Sequence, residues 1–236
     1  MNVIPAVDVL DGSVVRLMRG AYDEVKTYGD DPVAAVQGWH EAGADLVHVV
    51  DLSGARTGES DASLVRRLAG ANCRFQIGGG LRTVDDVEAM LAAGAQRVVV
   101  GTAAVFEPVV LQAMCAAVGS DAIVAALDVR DGRARGSGWE DDGEDLEVVV
   151  ARVAAAGVTR ALVTGISTDG TMEGPDLEVL RVVGRSAPAM RLIGSGGVGT
   201  LADLVQLASL DLEAAIVGRA FYEGRFTYAE ATAALS

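Results

Sequence analysis

Eight short apolar runs recur along the chain, and each is followed by a longer stretch with the 3.6-residue periodicity of a helix. The runs cover residues 3–7, 46–50, 74–77, 97–100, 122–127, 161–164, 191–193 and 214–217. They are rich in Val and Ile and do not alternate polar with apolar residues, which is how parallel strands buried on both faces read. The helical stretches cover 32–41, 62–69, 84–93, 108–118, 146–155, 177–186, 201–209 and 228–234. Thr83 and Thr200 stand before acidic first turns as N-caps, and the Ala-Gly pairs at 42–43, 93–94 and 156–157 suit left-handed C-caps. Eight strand–helix units in 236 residues is the count of a (β/α)8 barrel. An open doubly wound sheet uses fewer strands at this length and carries a G-x-G-x-x-G after its first strand, which is missing here. No linker, charge run or composition break divides the chain, so one domain spanning 1–236 is expected.

The two halves of the sequence repeat. Val7-Asp8-Val9-Leu10-Asp11-Gly12 recurs as Leu127-Asp128-Val129-Arg130-Asp131-Gly132, and Ala42-Gly43 recurs as Ala156-Gly157. Gly79-Gly80 matches Gly196-Gly197, and Val100-Gly101-Thr102-Ala103 matches Val217-Gly218-Arg219-Ala220. The offsets all lie near half the chain, so the barrel is expected to consist of two half-barrels, about 1–119 and 120–236.

A formal net charge of -14 argues against nucleic acid and anionic membrane surfaces as partners. An anionic ligand must then be held locally. Cys73 and Cys115 have no metal-ligand spacing and read as reduced thiols. His40, in a helical stretch, and His48, in a strand run, read as packing residues and supply no His-rich metal site. With no basic leader and no long apolar stretch, the chain reads as soluble and cytoplasmic.

In a (β/α)8 barrel the working face lies at the C-terminal ends of the strands. Each Gly-Gly follows a strand, and each Val-Gly-x-Ala follows the next one. Glycines there let backbone N–H groups approach a ligand, and a helix N-terminus adds positive potential. Two such cradles on opposite sides of a pseudo-twofold axis imply a ligand with two phosphates. Between them the repeat places Asp8 and Asp128 at the ends of opposed strands, an arrangement for proton abstraction on one side and donation on the other. Asp11 and Asp131, each before a glycine, read as helix or turn caps. Thr164 and Asp169 stand at and after the sixth strand, beside Asp128.

The motifs Ile4-Pro5-Ala6-Val7-Asp8, Gly78-Gly79-Gly80-Leu81-Arg82, Gly138-Trp139, Asp169-Gly170-Thr171, Ser195-Gly196-Gly197-Val198 and Val217-Gly218-Arg219-Ala220 stand in order along the whole chain. Together they resemble the phosphoribosyl isomerase family of histidine biosynthesis. That resemblance implies a barrel of two half-barrels and an Amadori rearrangement of the aminoaldose ProFAR, a bisphosphate bearing an imidazole carboxamide, to the aminoketose PRFAR. It makes Asp8 the general base at C2 and Asp128 the general acid that opens the furanose, with Asp169 as helper or alternative and Thr164 holding the acid or a sugar hydroxyl. Gly79, Gly80, Gly101 and Thr102 would bind one phosphate, and Gly196, Gly197, Gly218 and Arg219 the other. Arg16 and Arg82 would contact the substrate, and Trp139 would stack on its base. Carboxylate proton transfer needs no metal or organic cofactor, and a monomer is expected.

The chain also resembles bifunctional actinobacterial members that isomerise phosphoribosyl anthranilate in tryptophan synthesis, through Ile166, Asp169-Gly170-Thr171 and Gly174-Pro175 and a single lysine, Lys26. It departs from them at Gly78, where they carry serine, and at Ser137, where they carry an arginine expected to grip the smaller substrate. It departs from the family at Gly165, usually acidic, which predicts weaker support for Thr164. The related cyclase carries Cys and Lys where this chain has Ala6 and Arg16. A non-catalytic phosphate-binding barrel is the alternative outside enzymes, and the intact pair Asp8 and Asp128 argues against it.

Overall fold

The computed structural model describes residues 1–18, 21–139 and 141–235, and side chains at 17–18, 21–24 and 137 are outside that description. Eight strands form the frame: β1 (Asn2–Leu10), β2 (Val47–Asp51), β3 (Phe75–Gly78), β4 (Arg97–Val100), β5 (Ile123–Arg130), β6 (Arg160–Gly165), β7 (Arg191–Ser195) and β8 (Ala214–Val217). Each is hydrogen-bonded in parallel to the next, β8 pairs with β1, and β5 pairs with β6, so the sheet closes on itself. Closure excludes the open doubly wound sheet. The molecule is a (β/α)8 barrel.

Period-two alternation sorts each strand between two apolar layers. In β1, Val3, Val7 and Val9 point outward to the helices, and Ile4 and Ala6 point into the barrel. In β5, Ile123, Ala125, Leu127 and Val129 point outward, and Val124 and Ala126 point inward. The same alternation turns Asp8 and Asp128 into the barrel, at its C-terminal end. Both strands run past the apolar stretches read from the sequence because Asp11-Gly12 and Asp131-Gly132 are hairpin turns. Their φ values are 49° and 82°, and 53° and 72°. Two consecutive left-handed residues make the type I′ turn that suits a two-residue hairpin, for which Asp-Gly is a preferred sequence. These aspartates are therefore turn residues but cap no helix. The hairpins pair β1 with Ser13–Met18 and β5 with Arg133–Arg135.

Helices occupy all eight expected stretches, at Pro32–Glu41, Ala62–Gly70, Val84–Ala92, Pro108–Val118, Leu146–Ala155, Leu177–Ser186, Leu201–Ala208 and Tyr228–Ala233. Thr83 with Asp86 and Thr200 with Asp203 form capping boxes at matching places in the two halves. Gly43, Gly94 and Gly157 follow their helices with φ of 102°, 117° and 91°. Three further helices, Leu52–Thr57, Thr102–Phe106 and Arg219–Tyr222, are too short to leave a period in the sequence. All three lie in loops on the working face.

Candidate active site

One cleft at the C-terminal ends of the strands is lined by every residue singled out above for catalysis or substrate binding: the carboxylates, Thr164, Arg16, Arg82, Trp139 and both glycine sets with Thr102 and Arg219. Residues far apart in sequence meet there because the barrel brings all eight strand ends to one rim.

On one side of the cleft, Arg16 Nη1 donates to Asp8 Oδ2 at 2.5 Å. The hairpin makes this contact possible by folding Ser13–Met18 back along β1. Asp8 is 9% exposed, so the ion pair is largely withdrawn from water. Arg16 Nε is buried without a protein acceptor among the described residues, a donor left over for a ligand oxygen.

Across the cleft, Trp139 Nε1 donates to Asp128 Oδ2 at 2.8 Å. Thr164, in register with Asp128 on the neighbouring strand, also hydrogen-bonds to its side chain. Burial pushes the Asp128 carboxyl above its usual range, and the hydrogen bonds from Trp139 and Thr164 oppose that shift. Asp169, on the loop after β6, is pushed up to about 6, chiefly by burial; Arg16 opposes the rise, and the charges of Asp8 and Asp128 add to it. The site thus holds a carboxylate on a guanidinium and two carboxyls that keep a proton more readily than free aspartate does.

The glycine pairs occupy matching places after β3 and β7. Gly79 and Gly80 have φ of 118° and 74°, and Gly196 and Gly197 have φ of 87° and 81°. Neighbouring loops press on both pairs: a Cβ on Gly79 would lie 2.0 Å from the Asp51 carbonyl oxygen, and one on Gly197 the same distance from that of Gly174. Packing alone therefore demands glycine at 79 and 197. The third glycine of each set behaves differently. Gly101 and Gly218 are the N-caps of Thr102–Phe106 and Arg219–Tyr222, where no side chain covers the first amides. A Cβ on Gly101 would meet only Ala126 at 3.9 Å, whereas one on Gly218 would strike the Arg16 guanidinium. The two cradles match in backbone and differ in their lining.

Two arginines are engaged with the protein. Arg219 Nη1 donates to the Gly170 carbonyl at 2.6 Å, and its Nε lies 3.7 Å from Glu223. The Arg82 guanidinium packs over Gly58. At the acidic-to-glycine departure, a Cβ on Gly165 would lie 2.6 Å from Asp176 Cβ. Its carbonyl accepts from Thr168 N, Asp169 N and Thr168 Oγ1. Backbone thus organises the β6 loop, while in the other half the Asp51 carboxylate bonds Gly54 N and Asp61 N. Thr164 keeps its bond to Asp128 without an acidic neighbour.

His40 does pack structurally, with Nδ1 on the Ala44 carbonyl and Nε2 accepting from Arg74 N. His48 is different: it lines the cleft. Gln76 Nε2 lies 3.1 Å from His48 Nδ1, so the amide of the neighbouring strand holds the ring in the cleft. Burial holds the imidazole down at about 3, so the ring stays neutral. The signal was its inward position, three residues before the end of β2. Arg135 was also passed over; it lies opposite Asp128 in the β5 hairpin, lines the cleft, and keeps a buried Nε without a protein acceptor. Among the described residues, no group of three or more His, Cys, Asp or Glu side chains is arranged to hold a metal ion.

Comparison with known proteins adds an independent line. Residues 2–227 match the model of a family described as "Histidine biosynthesis protein". The chain is 45% identical over 234 residues to a protein of Thermomicrobium roseum, covering 97% of this chain and 95% of that one. It is 42% identical over 242 residues to one of Synechococcus sp. strain WH7803, covering 100% and 94%. It is 42% identical over 239 residues to one of Serratia proteamaculans, covering 98% of each. All three relatives carry the name 1-(5-phosphoribosyl)-5-((5-phosphoribosylamino)methylideneamino)imidazole-4-carboxamide isomerase.

Proposed function

The chain belongs to the histidine biosynthesis protein family, and from that premise we propose that its cleft converts the aminoaldose ProFAR into the aminoketose PRFAR. The observation that carries the reading is the pair of inward carboxylates, Asp8 and Asp128, at corresponding ends of β1 and β5 in a cleft that also holds two matching glycine cradles.

Asp128 is the general acid. Its proton goes to the furanose ring oxygen as the bond from C1 to that oxygen breaks, and the nitrogen lone pair closes a protonated imine at C1. Asp8 is the general base. It takes the C2 hydrogen as a proton, and the freed electron pair forms the C1–C2 double bond of a neutral enolamine. The C2 hydroxyl then loses its proton to Asp128 while C1 receives the proton held by Asp8, which yields the ketone and restores both groups. The raised Asp128 carboxyl suits an acid that must carry its proton into the step. Asp169, at about 6, is the helper or alternative source of that proton.

Gly79, Gly80, Gly101 and Thr102 take one phosphate, and Gly196, Gly197, Gly218 and Arg219 take the other, with Arg82 at the first cradle. Arg16 orients Asp8 and offers its spare Nε–H to the sugar. Thr164 holds the acid, and Trp139 stacks on the imidazole carboxamide. Proton transfer between carboxylates needs no metal or organic cofactor. We read the protein as a cytoplasmic monomer, one domain of two half-barrels. Supporting this, both cradles and both carboxylates come from a single chain, and none of the described helices is long and apolar enough to cross a membrane.

The test is Asp8→Asn. Turnover should be lost while the bisphosphate still binds; unchanged turnover would remove Asp8 from the base role, and turnover absent from the unaltered protein would favour a non-catalytic barrel.

A further inference from the structure

Glu223 follows the short helix Arg219–Tyr222 and sits where the loop after β8 meets the outer strand of the β1 hairpin. Its Oε1 accepts from Tyr28 Oη at 2.6 Å and from Lys26 Nζ at 2.9 Å. Both donors lie on the strand Ala21–Gly29, the outer strand of the β1 hairpin, nearly 200 residues away in sequence. Lys26 is directly opposite Arg16 in that hairpin, and Arg16 holds Asp8. From the other side, Arg219 Nε approaches the same carboxylate, and its Nη1 is bonded to the carbonyl of Gly170, next to Asp169. Aromatic packing fixes the same junction: the Tyr28 and Tyr222 ring centroids are 4.8 Å apart, and Tyr222 Oη donates to the Ala6 carbonyl. The Tyr28 and Lys26 donors hold the Glu223 carboxyl down at about 2, so it is ionised at any working pH.

We propose that Glu223 is a positioning residue, whose carboxylate couples the hairpin arm carrying Arg16 to the β8 phosphate loop and, through Arg219, to the backbone beside Asp169. This rests on the reading of Asp8 as base and of the β8 loop as a phosphate cradle. Glu223 touches no reacting atom. It sets the distance between the guanidinium on Asp8 and the cradle that anchors one end of the substrate, and small displacements of a reacting pair are costly in rate. A lone surface ion pair stabilises little. Joining the hairpin arm to the β8 loop at one carboxylate, with Arg219 reaching on to Gly170, is a geometric role that stability alone would not require.

Because Lys26 is the only lysine, its amine can be 13C-dimethylated and followed by NMR, apart from the N-terminal amine. In the full-length protein Lys26 should titrate above an ordinary lysine, and Glu223→Gln should bring it down. In the ProFAR assay, Glu223→Gln and Lys26→Gln should each lower kcat/KM, the former by about tenfold with most of the loss in kcat. The double variant should be no worse than Glu223→Gln alone, and all three should melt within a few degrees of the parent. A Lys26 titration unaffected by Glu223→Gln, full activity of that variant, or additive losses would each overturn the coupling. Lys26→Gln changes an exposed side chain, so it reads the latch even if Glu223→Gln folds poorly. If the amine responds as expected but the parent protein does not turn over ProFAR, the functional reading and the positioning role fail together, and only the Lys26–Glu223 contact stands.

Discussion

Asp169 is the residue whose chemistry the structure makes most specific. A buried carboxyl raised to about 6 binds a proton in the folded protein that the unfolded chain has already released. Between about pH 4 and 6 the folded state therefore holds more protons, and stability falls as pH rises through that window. Above it, the charged buried carboxylate costs about 2–3 kcal/mol relative to the unfolded chain. Asp169→Asn is thus expected to raise Tm at pH 8 and to change it little at pH 4; thermal melts at the two values check this, and an equal shift at both would contradict the burial account. His48 pulls the other way. Its imidazole is kept neutral down to about 3, so protonation of the unfolded chain erodes stability as pH drops below about 6.5. Comparing the variant with its parent at each pH separates the two groups, because His48 is common to both.

At the scale of elements, the paired glycines have two different reasons to be glycine. Gly197 is fixed by a neighbouring backbone and a φ of 81°, so Gly197→Ala should cost about 3 kcal/mol or more in urea unfolding. Gly101 has φ of -98° and space for a methyl group. Gly101→Ala should cost about 1 kcal/mol or less and, if the proposed cradle binds phosphate, reveal itself as a raised KM, since the methyl would stand in the phosphate's path. A Gly101→Ala protein with unchanged KM would remove that glycine from the cradle.

These elements also mark what could be read from sequence. The eight strands were legible as Val- and Ile-rich runs because both faces of each are buried, and the carboxylates were legible because the half-repeat puts Asp8 and Asp128 in the same place. The hairpins were only half legible: Asp11-Gly12 and Asp131-Gly132 read as helix or turn caps, and the turn is what the structure has, but the strands that pair back after them, Ser13–Met18 and Arg133–Arg135, leave no unbroken apolar run of their own. His48 reads as packing from sequence because inward and outward positions of a strand look alike until the barrel closes; the structure puts it in the cleft wall. Glu223 and its partners were invisible, since a contact between residues 28 and 223 leaves no local pattern.

At the scale of the whole molecule, the two ends of the barrel do different work. At the N-terminal end Glu213 receives Arg97 Nη1 at 3.0 Å and Arg160 Nε at 2.9 Å, and Arg191 Nη2 bonds Asp121 at 2.5 Å. This ties strands from both halves without touching the cleft. At the C-terminal end the half-repeat supplies a carboxylate and a glycine pair on each side, and in the proposed reading this is how a molecule of net charge -14 takes a bisphosphate: backbone amides and a few guanidinium groups act locally against the global field. The departure at Ser137 from the bifunctional relatives predicts selectivity. Ser137 offers no guanidinium to a smaller substrate, so phosphoribosyl anthranilate should be isomerised weakly or not at all, and wild-type growth of a complemented tryptophan auxotroph would contradict this. The most direct test is to incubate the purified protein with ProFAR in the presence of a chelator and follow PRFAR. Steady conversion that the chelator does not abolish is the predicted result; a well-folded protein that forms no PRFAR, or forms it only after a metal is restored, would contradict the two-carboxylate account.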